Sequence, residues 1–206
     1  MRVRISNPMG APLNTKTFFS CAIGLTMLAL SAAPAHAFEG RAASKDGTVV
    51  VTYKVEEGYK ISIRIDTKAK KMAYSESLKA DVTSIRVDFL DVNNDGFQDV
   101  LIKYADETGY SPAILVNRND QSFLRALPKT NEALYVNTEL EITKEGKATR
   151  PKDYELRNVT GDRIPELIFY KAFLDKKGYR HVVFRYDRRT ASYVLHEKGA
   201  LFVEPR

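Results

Sequence analysis

The chain alternates apolar and polar positions along most of its length. In GTVVVTYKV (47–55) and YKISIRIDT (59–67) β-branched residues recur at every second position, and Glu56-Glu57-Gly58 between them supplies a hairpin turn. KKMAYSES and ADVTSIRVDFL carry the alternation to Leu90, and VLIKYAD, SPAILVNRN, SFLRAL and ALYVNTELEIT follow. ELIFYKAFL, YRHVVFRYDRR and ASYVLHEKGALFV close the chain. No stretch holds a capped apolar stripe at helical spacing, although 130–140 has room for a short helical turn. Short strands separated by frequent turn residues predict an all-β fold, a small propeller-like or sandwich stack of antiparallel sheets. An α+β arrangement with one or two short helices is the alternative. The polar stretch TKEGKATRPKD (143–153) reads as an exposed loop, and no low-complexity linker divides 38–206, which predicts a single domain there.

The first residues obey a different pattern. Arg2, Arg4 and Lys16 precede the apolar stretch FFSCAIGLTMLALSAA, and the small-residue site Ala35-His36-Ala37 follows it. This is the layout of a secretory signal peptide spanning 1–37 and cleaved after Ala37. It predicts a periplasmic or secreted protein with no membrane span once the leader is removed. The mature chain would run from Phe38 to Arg206, and losing three basic residues lowers the net charge from +6 to +3. That balance leaves no nucleic-acid footprint. Cys21, the only cysteine, departs with the leader, so the fold is held by its core or by a bound metal rather than by disulfides.

DVNNDGFQDV (91–100) is the stretch with candidate chemistry. Counting Asp91 as position 1, side-chain oxygens fall at 1 (Asp91), 3 (Asn93), 5 (Asp95) and 9 (Asp99), and Phe97 offers its backbone carbonyl at 7. Gly96 occupies position 6, where a calcium loop turns sharply. Hard oxygen ligands at alternate positions suit Ca2+ better than Mg2+, which demands a tighter octahedron. An EF-hand would need a glutamate at position 12, but Ile102 stands there, and the flanks read as strands. The expectation is one calcium ion in a strand-loop-strand bend, held by Asp91, Asn93, Asp95, Phe97 and Asp99. A plain turn explains Asn94 to Gly96 but not the matched Asp91 and Asp99.

These residues carry a resemblance. IRVDFLDVNNDGFQDVLIKY resembles the repeat of FG-GAP and VCBS-type proteins, whose blades place a D-x-N/D-x-D-G-x-x-D calcium loop after an apolar strand. A second copy, LRNVTGDRIPELIFYKA (156–172), aligns Asn158, Thr160, Asp162, Ile164 and Glu166 with positions 1, 3, 5, 7 and 9. The two repeat-like units lie around 82–104 and 154–174. In the second, Arg163 replaces the position-6 glycine, so loop 158–166 is expected to stay empty, with Arg163 pairing Asp162 or Glu166 in place of a cation. Size, export and the one loop also resemble calcium-binding inhibitors of lysozyme-like hydrolases.

Catalytic signatures are sparse. No G-x-S-x-G elbow occurs, His181 and His196 lack metal-ligand spacing, and no glycine-rich phosphate loop precedes a helix. A cation among Asp91, Asp95 and Asp99 would keep them ionised and unfit as general acids. In KKGYRHVVFRYDRR (176–189), Lys176, Lys177, Arg180, Arg185, Arg188 and Arg189 alternate with Tyr179, Phe184 and Tyr186, which suits either a solvated basic hairpin or a binding face. The sequence therefore predicts a non-enzymatic, calcium-binding β module that binds a periplasmic or extracellular protein or a cell-wall component. Inhibition of a lysozyme-like cell-wall hydrolase and hydrolysis of a glycan or cell-wall substrate are the alternatives.

Overall fold

The computed structural model describes residues 37–57, 59–126, 133–149, 153–174 and 180–199. The proposed leader, apart from Ala37, lies outside the described residues, as do Lys176, Lys177 and Tyr179. The described residues are all-β and contain no helix, so the α+β alternative is set aside. The helical turn considered for 130–140 falls partly outside them, and its remainder holds strand Tyr135–Asn137.

Three four-stranded antiparallel meanders succeed one another. The first is β1 (Phe38–Ala43), β2 (Val49–Glu56), β3 (Lys60–Thr67) and β4 (Tyr74–Lys79), in that spatial order. The second is β5 (Ser84–Leu90), β6 (Asp99–Ala105), β7 (Gly109–Arg118) and β8 (Ser122–Arg125), each paired with the next. A short β9 (Tyr135–Asn137) and a small hairpin, β10 (Glu141–Ile142) with β11 (Ala148–Thr149), interrupt the series. The third meander is β12 (Tyr154–Arg157), β13 (Glu166–Phe173), β14 (Arg180–Asp187) and β15 (Ser192–Lys198). Val136 of β9 pairs with both Tyr110 and Ala172, joining the second and third meanders in one nine-stranded sheet. The two motif copies occupy the first hairpins of the second and third meanders, and the first meander has the same strand order without the motif.

Alternation explains the first meander. Val49, Val51 and Val55 of β2 and Ile61, Ile63 and Ile65 of β3 are buried, while Ser62 and Arg64 between the isoleucines face solvent. β6 is buried at every position because two cores meet on it. Val100, Ile102 and Tyr104 pack with the β2 and β3 residues, whereas Leu101 and Ala105 pack with Leu167, Phe169, Phe184 and Tyr193 of the third meander. β7 divides likewise, with Ala113 and Leu115 on one side and Ile114 and Val116 on the other.

One charge lies within this doubly covered strand. Lys103 is buried, with its ammonium 2.8 Å from Asp88 and 2.6 Å from Asp153, and 4.6 Å from the centre of the Tyr154 ring. Two carboxylates and an aromatic face replace the water that a lysine would otherwise lose.

Candidate metal centre

The bend between β5 and β6 begins where Leu90 pairs with Asp99, so positions 0 and 9 of the loop face each other across the hairpin. Asp99 is wholly buried. Its Oδ1 accepts the Asn117 N–H at 2.7 Å and its Oδ2 accepts the Val92 N–H at 2.8 Å. Burial pushes its pKa up to about 7; the two N–H bonds oppose that rise, and the charges of Asp95 and Asp91 add to it.

The outer part of the loop is organised around N–H groups. Asp91 accepts the Gly96 N–H at 2.9 Å on Oδ2 and the Asp95 N–H at 3.1 Å on Oδ1. The Asp95 N–H is shared with Asn93 Oδ1, also at 3.1 Å, so the oxygens of positions 1 and 3 converge on one point. Asp95 in turn accepts the Phe97 N–H at 2.9 Å and the Asn93 side-chain amide at 2.8 Å. Gly96 sits at φ +88° with open space where a Cβ would stand, so the glycine serves the turn's left-handed backbone rather than close packing.

The loop is also clamped from the third meander. The Tyr193 hydroxyl donates to the Val92 carbonyl at 3.2 Å. Asn94 donates its amide to the Arg163 carbonyl at 3.3 Å, which ties this loop to the second motif copy.

That second loop repeats the plan with different chemistry. Arg157 pairs with Glu166, again positions 0 and 9. Glu166 is buried and accepts the Val159 N–H at 2.7 Å, as Asp99 accepts that of Val92. Its other oxygen accepts the Thr160 hydroxyl at 2.6 Å. Asp162 accepts the Ile164 N–H at 2.9 Å, as Asp95 accepts that of Phe97. The left-handed residue at position 4 is Gly161, φ 79°, matching Asn94, φ 56°. The expected pairing of Arg163 with Asp162 or Glu166 does not occur. Asp162 pairs instead with Arg185 of β14, at 2.9 Å, and the Ile164 N–H together with that guanidinium holds its carboxyl below the usual range. Glu166 is satisfied internally, and Arg163 has no carboxylate partner among the described residues.

The structure thus brings Asp91, Asn93 and Asp95 together on one turn and sets Asp99 beneath them, while Phe97 contributes its N–H. Among the described residues no three acidic or histidine groups are already gathered as an ion would require. Each carboxylate oxygen that accepts one N–H keeps a further lone pair, so the donor set fits a hard cation in kind. The charges that act on Asp99 within the loop are both negative.

Several participants escape a reading of the sequence. Asn117 lies in the turn-like run NRND, which signals a bend but not that its N–H serves Asp99 while its amide reaches the Gln98 carbonyl at 3.1 Å. Tyr186 and Phe184 read as candidate binding aromatics, yet both are buried in the core, whereas Arg185, Arg188 and Arg189 are exposed. His181 and His196 are strand residues, with His181 3.9 Å from Glu197. No protein-family model, curated protein or solved structure matches the chain.

Proposed function

We propose that the chain is an exported, non-catalytic, calcium-binding β module of FG-GAP/VCBS type that acts by binding a partner. Asp91, Asn93, Asp95 and Asp99, with the Phe97 carbonyl, would hold the ion. The ion would supply the positive charge that this loop lacks and would fix the bend between β5 and β6. The observation that carries this reading is the contrast between two hairpins of one register. In the second, a guanidinium from β14 neutralises the position-5 carboxylate. In the first, three carboxylates share a loop, one of them fully buried, and no lysine or arginine pairs with them among the described residues. Export is supported by the leader pattern.

Calorimetric titration of the purified protein with CaCl2, beside Asp95→Ala, tests the reading. Extracellular calcium modules bind at roughly 10⁻⁴–10⁻³ M. At ten times the dissociation constant the ion should add about 1.4 kcal/mol of stability. Equal melting of wild type and variant in calcium and in chelator would remove the metal from the account.

A further inference from the structure

A cleft of ≈ 780 Å³ opens beside the two loops, lined among others by Asn94, Arg163, Arg185, Tyr186, Arg188 and Val194. Its three arginines come from three places: the loop after β12, strand β14, and the turn after β14. Arg185 is committed to Asp162. Arg163 and Arg188 are exposed, and neither has a carboxylate partner among the described residues. The remaining lining acid, Asp187, accepts the Arg189 N–H at 2.9 Å and the Thr190 hydroxyl at 3.0 Å, and does not reach them. Asn94 holds the Arg163 segment at the wall through its bond to the Arg163 carbonyl.

We propose that this cleft docks an acidic side chain, flanked by an aliphatic one, from a partner protein. Among the described lining residues, three guanidiniums stand against two engaged carboxylates, Asp162 and Asp187, which leaves one surplus positive charge and suits one carboxylate. A nucleic acid or other dense polyanion would bring a run of charges against those same two acids. A guanidinium fork bonds a carboxylate through two parallel charge-assisted hydrogen bonds, stronger than neutral ones, and Arg163 and Arg188 both present such a fork to the cleft. Val194, 44% exposed on the lining, offers contact to an aliphatic neighbour of the acid. A sugar ring would find no platform on the described lining, where the one aromatic residue, Tyr186, is only 7% exposed. The proposal rests on the partner-binding reading above for its biological use, but the cleft's chemistry does not require calcium.

Arginine side-chain NMR of the purified protein provides the test, with the pentapeptide Ac-Gly-Leu-Glu-Leu-Gly-NH2 and its glutamine counterpart as probes. The glutamate peptide should shift the Nε–Hε signals of Arg163 and Arg188 saturably, and the glutamine peptide should not. Arg163→Gln with Arg188→Gln should weaken binding about tenfold or more, with melting unchanged because both residues are exposed. Equal responses to the two peptides, or a response that survives the double substitution, would overturn the proposal. So would tighter binding of an oligouronate, which would make the cleft a glycan site. Running the titration in chelator and in calcium separates the two readings. Peptide binding without any calcium response sinks only the metal, and a calcium response without peptide binding sinks only the cleft.

Discussion

Loops 91–99 and 158–166 are two solutions to one problem. Both close a hairpin at positions 0 and 9, both bury a carboxylate at position 9, and both turn it onto the N–H of position 2. They differ in where positive charge comes from. The second loop has fewer acids, and a guanidinium from β14 answers the one at position 5. The first has acids at positions 1, 5 and 9 and receives only N–H groups and neutral side chains. Shared geometry therefore does not imply shared electrostatics. Both bends are anchored by a buried position-9 acceptor, and the outer residues set how much uncompensated negative charge each carries.

The largest test of this contrast is removal of the buried acceptor. Asp99→Ala strands two buried N–H groups, and chemical denaturation should show a loss of about 2–5 kcal/mol. Glu166→Ala should cost a similar amount if the two anchors are equivalent. A much smaller loss at either site would show that the hairpin is fixed by something other than its position-9 residue.

The pH dependence should separate the loops next. The folded pKa of Asp99, about 7, lies above that of an unfolded aspartate. Its contribution is therefore fully present below about pH 4 and is lost as pH rises through about 7, on the order of a few kcal/mol. Denaturation of wild type against Asp99→Asn between pH 4 and 8, in chelator, isolates this slope. Calcium should abolish or reverse it, because the ion favours the ionised carboxylate. Asp162, whose carboxyl is held low, acts with the opposite sign: its contribution is lost as pH falls through its folded pKa.

The position-6 residues give a smaller contrast. Gly96→Ala places a Cβ at φ +88° and should lower stability by roughly 1–2 kcal/mol, whereas Arg163, which is not left-handed, should tolerate alanine with almost no change. Equal costs at the two positions, read from denaturant midpoints, would contradict the different turn conformations. Smallest of all, Arg185→Gln removes a half-exposed ion pair worth about 0.2–1 kcal/mol. That loss should fade in high salt, while the stability of the first loop should respond to calcium instead.

Much of the strand framework was legible because alternation is a local property. The valines of β2 and isoleucines of β3 announce a one-sided strand. The unbroken VLIKY of β6 is harder: apolar residues on both faces give no period, and the lysine within it reads as an exposed position until Asp88 and Asp153 are seen to meet there. At the loop, residue types and spacing pointed to Asp91, Asn93, Asp95 and Asp99, since those contacts span few residues. The partners that give each loop its electrostatics are distant. Arg185 reaches Asp162 across 23 positions and Asn94 reaches Arg163 across 69. The motif places the turning glycine at position 6, but in the second loop Gly161 turns the chain at position 4. The first meander shares the strand order of the other two but carries no acidic loop motif, and its opening turn is short. Its acid, Asp46, is spent on Ser44 and Thr48 within the turn itself.

The bond from the Tyr193 hydroxyl to the Val92 carbonyl joins residues 101 apart in the chain. A polypeptide emerging from its N-terminus presents the acidic bend long before the final strand that clamps it. The bend's finished shape thus waits for the arrival of β15, and a chain cut short of that strand would present the acidic bend without the bond that Tyr193 makes to its backbone.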